Sequence, residues 1–396
     1  MAVPVKISAN PPNTLQGIAT SNQGSAAKAH GPFEVGSALY LALSEDQGGG
    51  DFQMQMWKST DSGATWSEQD AGNGPHFLGW YSSILNGTVI ELVYCNLPPG
   101  LLRRTTYQEF DTATDTWGAQ NQASNTTDVN GDIHCTKLSS GDYLCFYLGS
   151  TAAYSIRFSS GTWGTANSEF ALSGLSWQGL DLASDSSDTG YFVYRERDFS
   201  SVVTLKMRSL TLGGTLSSEF VVSVGSAGAT FITGPCSVWN GGLVIPTTYD
   251  EAGFPQASAG APGFFFGTPL ASPAWTFKVS GTTTPQPFLM LFLVIDATHS
   301  IVFWTTVTSG DTNVWSATYD GSSFGTATLF YDWDANPPAG GGVVPAGDQL
   351  LKQPTIAAVT GGYGMAIAIE YNYPAEDYST FYLAAGILSG YQNKVY

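Results

Sequence analysis

A chain of 396 residues can bury a large core, and its length alone would allow two or three domains. Its 46 glycines and 20 prolines, with 13% aromatic against 12% charged residues, point to strands and turns and away from solvent-exposed helices. With 32 acidic against 14 basic residues the net charge is −18, which repels phosphate backbones and anionic headgroups and so excludes nucleic acid and membrane insertion as partners.

Residues 1–6, Met-Ala-Val-Pro-Val-Lys, lack a basic segment followed by an apolar one and do not read as a signal peptide. The most apolar run, residues 288–295, is broken by Asp296 and is too short to span a bilayer. The expected location is extracellular or virion-associated without a recognisable signal peptide, with the cytoplasm left open.

Residues 59–66, Ser59-Thr60-Asp61-Ser62-Gly63-Ala64-Thr65-Trp66, fit Ser-x-Asp-x-Gly-x-Thr-Trp at every fixed position. Such a stretch suits a tight hairpin turn. Ser59 and Asp61 can bond the backbone of their own turn, Gly63 can take positive φ, and Trp66 supplies an apolar plug. Residues 110–117 and 158–163 repeat the scheme, each ending a strand, turning on polar residues and closing on Trp117 or Trp163. Fainter copies lie at residues 210–220, around Gly213-Gly214, at 267–275, and at 319–324, where Phe324 replaces Trp. Their spacing is roughly that of one propeller blade, about 40–50 residues.

Between these turns run apolar or alternating segments of strand length, clearest at residues 133–137, 143–148 and 154–158, and no helical periodicity is sustained. Cys135 and Cys145 are symmetric about residues 139–142, which places them opposite each other in a hairpin. Their apolar neighbours favour two buried thiols over a cross-strand disulfide. Residues 354–383 supply only three strands, and an isolated strand at residues 3–8 would complete them.

Residues 59–66 resemble the Asp-box, or BNR repeat, of sialidase-like β-propellers. The resemblance implies an all-β fold in a single domain over residues 1–396, with seven blades closed by the N-terminal strand, or else six. It also implies that Ser59, Asp61, Gly63, Thr65 and Trp66 are structural, on the face away from the ligand. Ligands would then meet the loops that enter each inner strand and those joining the second strand to the third.

Candidates at the entries are His76, Trp80 with Tyr81, Asp132 with His134, Trp177-Gln178 with Asp181, and Lys352-Gln353. In the other loops they are Glu45-Asp46, Arg103-Arg104, Arg195-Glu196-Arg197-Asp198, Asp250-Glu251 and Tyr371-Asn372-Tyr373. Of these, Trp80, Tyr81, His134, Trp177, Arg195, Glu196 and Tyr371 are the binding set, because aromatic faces stack on pyranose C–H while amides, carboxylates and Arg bond hydroxyls. Each has a plainer explanation: interblade packing for the tryptophans, a hydrogen-bonded core histidine for His134, and mutual surface ion pairing for residues 195–198.

Sialidases carry an Arg-Ile-Pro motif and an arginine clamp. This chain has no such motif and no arginine before Arg103, so sialidase activity is not expected. No catalytic residue is assigned. The leading expectation is a non-catalytic propeller that binds a glycan or cell-surface receptor, as part of a virion or exported assembly with other proteins. The alternatives are a glycoside hydrolase or polysaccharide lyase acting at the axial cleft, with His134 and Arg195 cast as base and cation, and a structural protein-interaction module. No cofactor is expected: His30, His76 and His299 lack ligand spacing, and the glycine runs at 48–50 and 340–342 precede no helix. Calcium held by loop carboxylates and carbonyls stays open.

Overall fold

The computed structural model describes residues 5–6, 30–48, 51–63, 65–77, 81–96, 104–123, 133–149, 151–159, 161–172, 176–197, 202–227, 231–233, 235–249, 263–279, 287–294, 298–308, 311–332, 351–359, 362–372 and 377–386. For some of these, including residues 44–48, 176–180 and all of the last three strands, the backbone alone is described. Among the described residues every regular element is a β-strand.

Six consecutive antiparallel sheets are described down to their side chains. The first blade holds His30–Val35, Ala38–Gly48, Asp51–Ser59 and Ser67–Gln69, and the second Tyr81–Asn86, Val89–Asn96, Arg104–Asp111 and Thr116–Trp117. The third holds Ile133–Lys137, Tyr143–Leu148, Ala152–Ser159 and Thr162–Trp163, and the fourth Ser176–Ser184, Gly190–Arg197, Val202–Leu210 and Phe220–Ala227. In the fifth, Phe231–Thr233 and Ser237–Trp239 share the innermost place before Gly242–Tyr249, Gly263–Thr268 and Ala274–Val279. Pro287–Val294, Ser300–Thr308, Asp311–Tyr319 and Thr328–Asp332 make the sixth.

A further sheet joins Leu351–Val359, Gly362–Asn372 and Asp377–Gly386 to Val5–Lys6, which pairs with Tyr382 and Phe381. Innermost strands touch in chain order, and Leu351–Val359 lies against both Pro287–Val294 and His30–Val35. The expectation of seven blades, the seventh closed by the N-terminal strand, is corrected here to the alternative count of six. Six blades have packed interiors between them, and the further sheet, with Val5–Lys6 at its edge, lies between the sixth and the first.

Blades stacked face to face bury both sides of their middle strands, which explains continuous apolar runs where a half-exposed strand would alternate. Tyr143–Leu148 is buried at every position. The core is a series of seams between neighbours. Tyr40, Met54 and Met56 meet Tyr81, Leu92, Tyr94 and Phe110 between blades one and two. Phe146 and Leu148 meet Phe192 and Tyr194 between three and four, and Phe264 and Phe266 meet Met290, Phe292 and Trp304 between five and six.

Cys135 and Cys145 are directly opposed in register and joined in a disulfide, which overturns the reading of two thiols. The hairpin geometry outweighed the apolar surroundings. Cys95 packs in the same cluster, and both Cys95 and Cys236 are buried. Closing a ten-residue loop restricts the unfolded chain, so replacing both cysteines by Ser is expected to cost about 2 kcal/mol. Thermal melts of wild type with and without reductant, beside the double variant, check this; equal melting in all three would refute it.

Candidate functional site

The hairpins between third and fourth strands lie at one end of the ring, the inner-strand entries at the other. Residues 59–66 form the first of these hairpins, bonded through two side chains. Ser59 Oγ accepts from the Gly63 amide at 2.8 Å and donates to Asp61 Oδ1 at 2.8 Å. Asp61 Oδ1 accepts from the Thr65 amide at 2.8 Å, its Oδ2 from Thr65 Oγ1 at 2.6 Å, and Trp66 Nε1 donates to Gly63 O at 3.0 Å. Gly63 has φ +90°, where a Cβ is strained. Trp117 and Trp163 share one register, opposite Phe110 and Phe158, while Trp66 directly precedes Ser67, the partner of Lys58.

The Thr65 hydroxyl and amide, and then Ser59, hold the Asp61 carboxyl down at about 2. Because the folded value lies below the unfolded one, the charged form stabilises the turn above about pH 4, and this contribution is lost as pH falls through about 2. The melting difference between wild type and Asp61→Asn is therefore expected to be full near neutrality and to shrink between about pH 4 and 2. A pH-independent difference would refute it.

At the opposite end the inner strands are laced together by polar groups. Ser82 Oγ accepts from the Cys135 amide at 3.1 Å, linking blades two and three. His134 Nδ1 lies 3.6 Å from Asp181 Oδ1, and Asp181 Oδ2 accepts from the Cys236 amide at 2.6 Å, joining blades three, four and five. Ser237 Oγ continues the series by donating to Phe292 O at 3.2 Å. His134 is 7% exposed, so its ring is part of this framework.

Tyr81 is 4% exposed in the core between blades one and two, its ring centroid 4.6 Å from that of His30, and burial pushes its phenol above the ordinary range. Its register faces it inward. His76 pairs with Gln53 on the edge of blade one and does not enter blade two. Trp80, Asp132, Arg103, Asp198, Asp250, Glu251 and Tyr373 lie outside the described residues, and Trp177, Gln178 and Tyr371 are described in backbone only.

Trp177 pairs with Glu196 and Gln178 with Arg195, so the backbone brings these candidates together at the entry end of blade four. Glu196 bonds Lys206 on the next strand. Lys206 Nζ also lies 2.8 Å from Glu219 Oε1, and Glu219 Oε2 accepts from Tyr194 OH at 2.7 Å and lies 3.5 Å from Arg208 Nη2. The Arg208 guanidinium stacks 4.5 Å over Phe170 of blade three. Burial opposes the Glu219 charge, but Lys206, Tyr194 and Arg208 outweigh it and lower its pKa. Lys206, Arg208 and Glu219 were missed in the sequence. Their signal was the two-residue spacing of Lys206 and Arg208, which places both cations on one face of a strand.

Among the described residues no group of three or more His, Cys, Asp or Glu is placed to hold a metal ion. Among them, too, no helix is long and apolar enough to cross a membrane.

No protein-family model matches the sequence, and no curated protein sequence matches it. The fold has solved counterparts. One is a polysaccharide lyase, an ulvan lyase described as the structure of a new family, with 8% identity and a TM-score of 0.61 over 97% of this chain and 96% of that one. The same lyase bound to -[GlcA(1-4)Rha3S]- gives 0.60, with 8% identity over the same shares of the two chains. A microbial sialidase, Hz136, is 9% identical with a TM-score of 0.42 over 85% of this chain and 74% of that one. At these identities the likeness establishes the all-β propeller fold.

Proposed function

We propose that residues 1–396 act as a single glycan-binding propeller without a catalytic centre, offering the inner-strand end to sugars on a receptor or other surface. One observation carries the ligand class: over nearly its whole length the chain shares its fold with a lyase that has been seen with a glycan bound. The net charge of −18 disfavours polyanions, so neutral glycans are the expected class. Trp177, Arg195 and Glu196 are the proposed contacts, and Trp80 and Tyr371 stay in the proposed set on their place in the sequence.

The non-catalytic half of the proposal is supported by His134, whose ring is buried against Asp181 and braces blade three on blade four. A lyase base has to reach a sugar proton. The Cys135–Cys145 disulfide favours an oxidising setting, in keeping with an exported or virion-surface role among other proteins. No cofactor is part of the proposal.

A glycan array spanning neutral, uronate-containing and sulfated classes, followed by incubation of each bound glycan with the protein, tests both halves. Binding to a neutral class with no release of unsaturated or reducing ends is the expected result. Failure to bind any class would sink the proposal. Release of unsaturated uronate products would replace it with the lyase reading, which the same fold likeness favours.

A further inference from the structure

At the opposite end of the ring, Lys58, Thr60, Thr65, Trp66, Ser67 and Gln69 of blade one and Asp115 of blade two line a cleft of about 240 Å³. Its volume falls below the roughly 300–1,000 Å³ of sites for drug-sized ligands, which suits one ring. The lining combines an indole, a carboxylate, an ammonium, hydroxyls and a primary amide. That set matches a ring with a C–H face and hydroxyls at its rim.

The polar pair is held in place from below. Asp115 sits at φ +56° in the hairpin of blade two. Tyr40 OH donates to its Oδ1 at 2.8 Å, and Lys58 Nζ donates to its Oδ2 at 2.5 Å. Tyr40 is 1% exposed, so the support is rigid, whereas the side chains of Lys58 and Asp115 keep 21% and 26% exposure and stay within reach of a ligand. An ammonium has three N–H donors and a carboxylate about four acceptor sites, so this pair retains capacity for hydroxyls. Thr65 and Trp66 are fixed on the other side by the Asp61 and Gly63 bonds of their turn. The cleft is therefore preorganised from both blades.

We propose that this cleft is a second carbohydrate subsite, taking one neutral pyranose with Trp66 under its C–H face and Lys58, Asp115 and Gln69 bonding its hydroxyls. Charge selects the class. Lys58 and Asp115 neutralise each other, and a uronate or sulfated sugar would meet Asp115 in a protein already carrying −18. The subsite is independent of the axial reading, and two subsites at opposite ends of one ring would let the protein bridge two glycans.

Titration with the methyl glycosides of glucose, galactose, mannose and N-acetylglucosamine, followed by tryptophan fluorescence and ligand-observed NMR, tests it. One of them is expected to saturate wild type in the millimolar range, and Asp115→Asn and Gln69→Ala to weaken it about tenfold each, the effect of one good hydrogen bond to a ligand. Thermal melts establish that each variant folds. Gln69 lies at the rim, its amide bonded only to Ser67 among the described residues, so it decides the matter if Asp115→Asn melts early. No saturation by any of the four glycosides would overturn the proposal, as would saturation that both variants leave unchanged. Neither outcome depends on the glycan-array result for the other face.

Discussion

Replacing Asp181 by Ala is expected to destabilise the protein by about 3 kcal/mol, more than any other single polar change at the ring's centre. Its carboxylate serves two neighbours at once, His134 on blade three and the Cys236 amide on blade five. Both lie in low-exposure surroundings, 7% for His134 and 9% for Cys236, where a lost acceptor is poorly replaced by water. Asp181→Asn keeps an oxygen for the amide while losing the charge facing the imidazole. It is expected to cost about half as much. The ordering Ala below Asn below wild type in denaturant midpoints, at unchanged slope, checks the assignment. Equal midpoints for Ala and wild type would show that blades three to five are held by their apolar seams alone.

That expectation bears on function because His134 is the residue that a catalytic reading most needs. The same double mutant logic separates roles: if His134→Ala and Asp181→Ala each lower stability and their combination costs less than the sum, the two act as one brace. An independent catalytic histidine would instead leave stability nearly unchanged.

The all-β class was legible because turn chemistry and strand-length apolar runs agreed along the chain. Trp117 and Trp163, each ending a hairpin, do fall in one register, opposite Phe110 and Phe158. Trp66 does not copy them strictly, because its turn is longer than theirs. The disulfide was misread for a physical reason: apolar neighbours speak for burial, but only the register Cys135↔Cys145 decides whether two sulfurs meet. Blade count was the least legible feature, because turn spacing along the chain marks hairpins but does not say how the ends of the ring meet.

Site residues were legible only as far as chain position implies face. Tyr81 stood at an inner-strand entry, yet pairing opposite Tyr94 turns it into the core. Glu196 has a partner in Lys206 on the neighbouring strand, a cross-sheet pairing that the alternating signs of residues 195–198 do not announce. Glu219 completes that ladder from outside any strand. No local pattern in the sequence announces it.

Stability and binding are expected to separate by end of the ring. Gly63→Ala forces a side chain onto φ +90° in a buried turn and should cost about 1–2 kcal/mol, while axial glycan affinity stays within about twofold. Asp61→Asn should act in the same sense with a smaller loss, since its bonds are solvent-exposed. Arg195→Ala and Trp177→Ala should do the reverse, weakening axial glycan binding by up to about 100-fold, as for a truncated aromatic or arginine anchor. The melting temperature should move little in the arginine variant, because its strand keeps every backbone pairing with Val202–Leu210. Melts and glycan titrations on the four variants read the two effects independently. Loss of axial binding in Gly63→Ala without loss of stability would place the ligand at the hairpin end, and full binding by both Arg195→Ala and Trp177→Ala would remove blade four from the site.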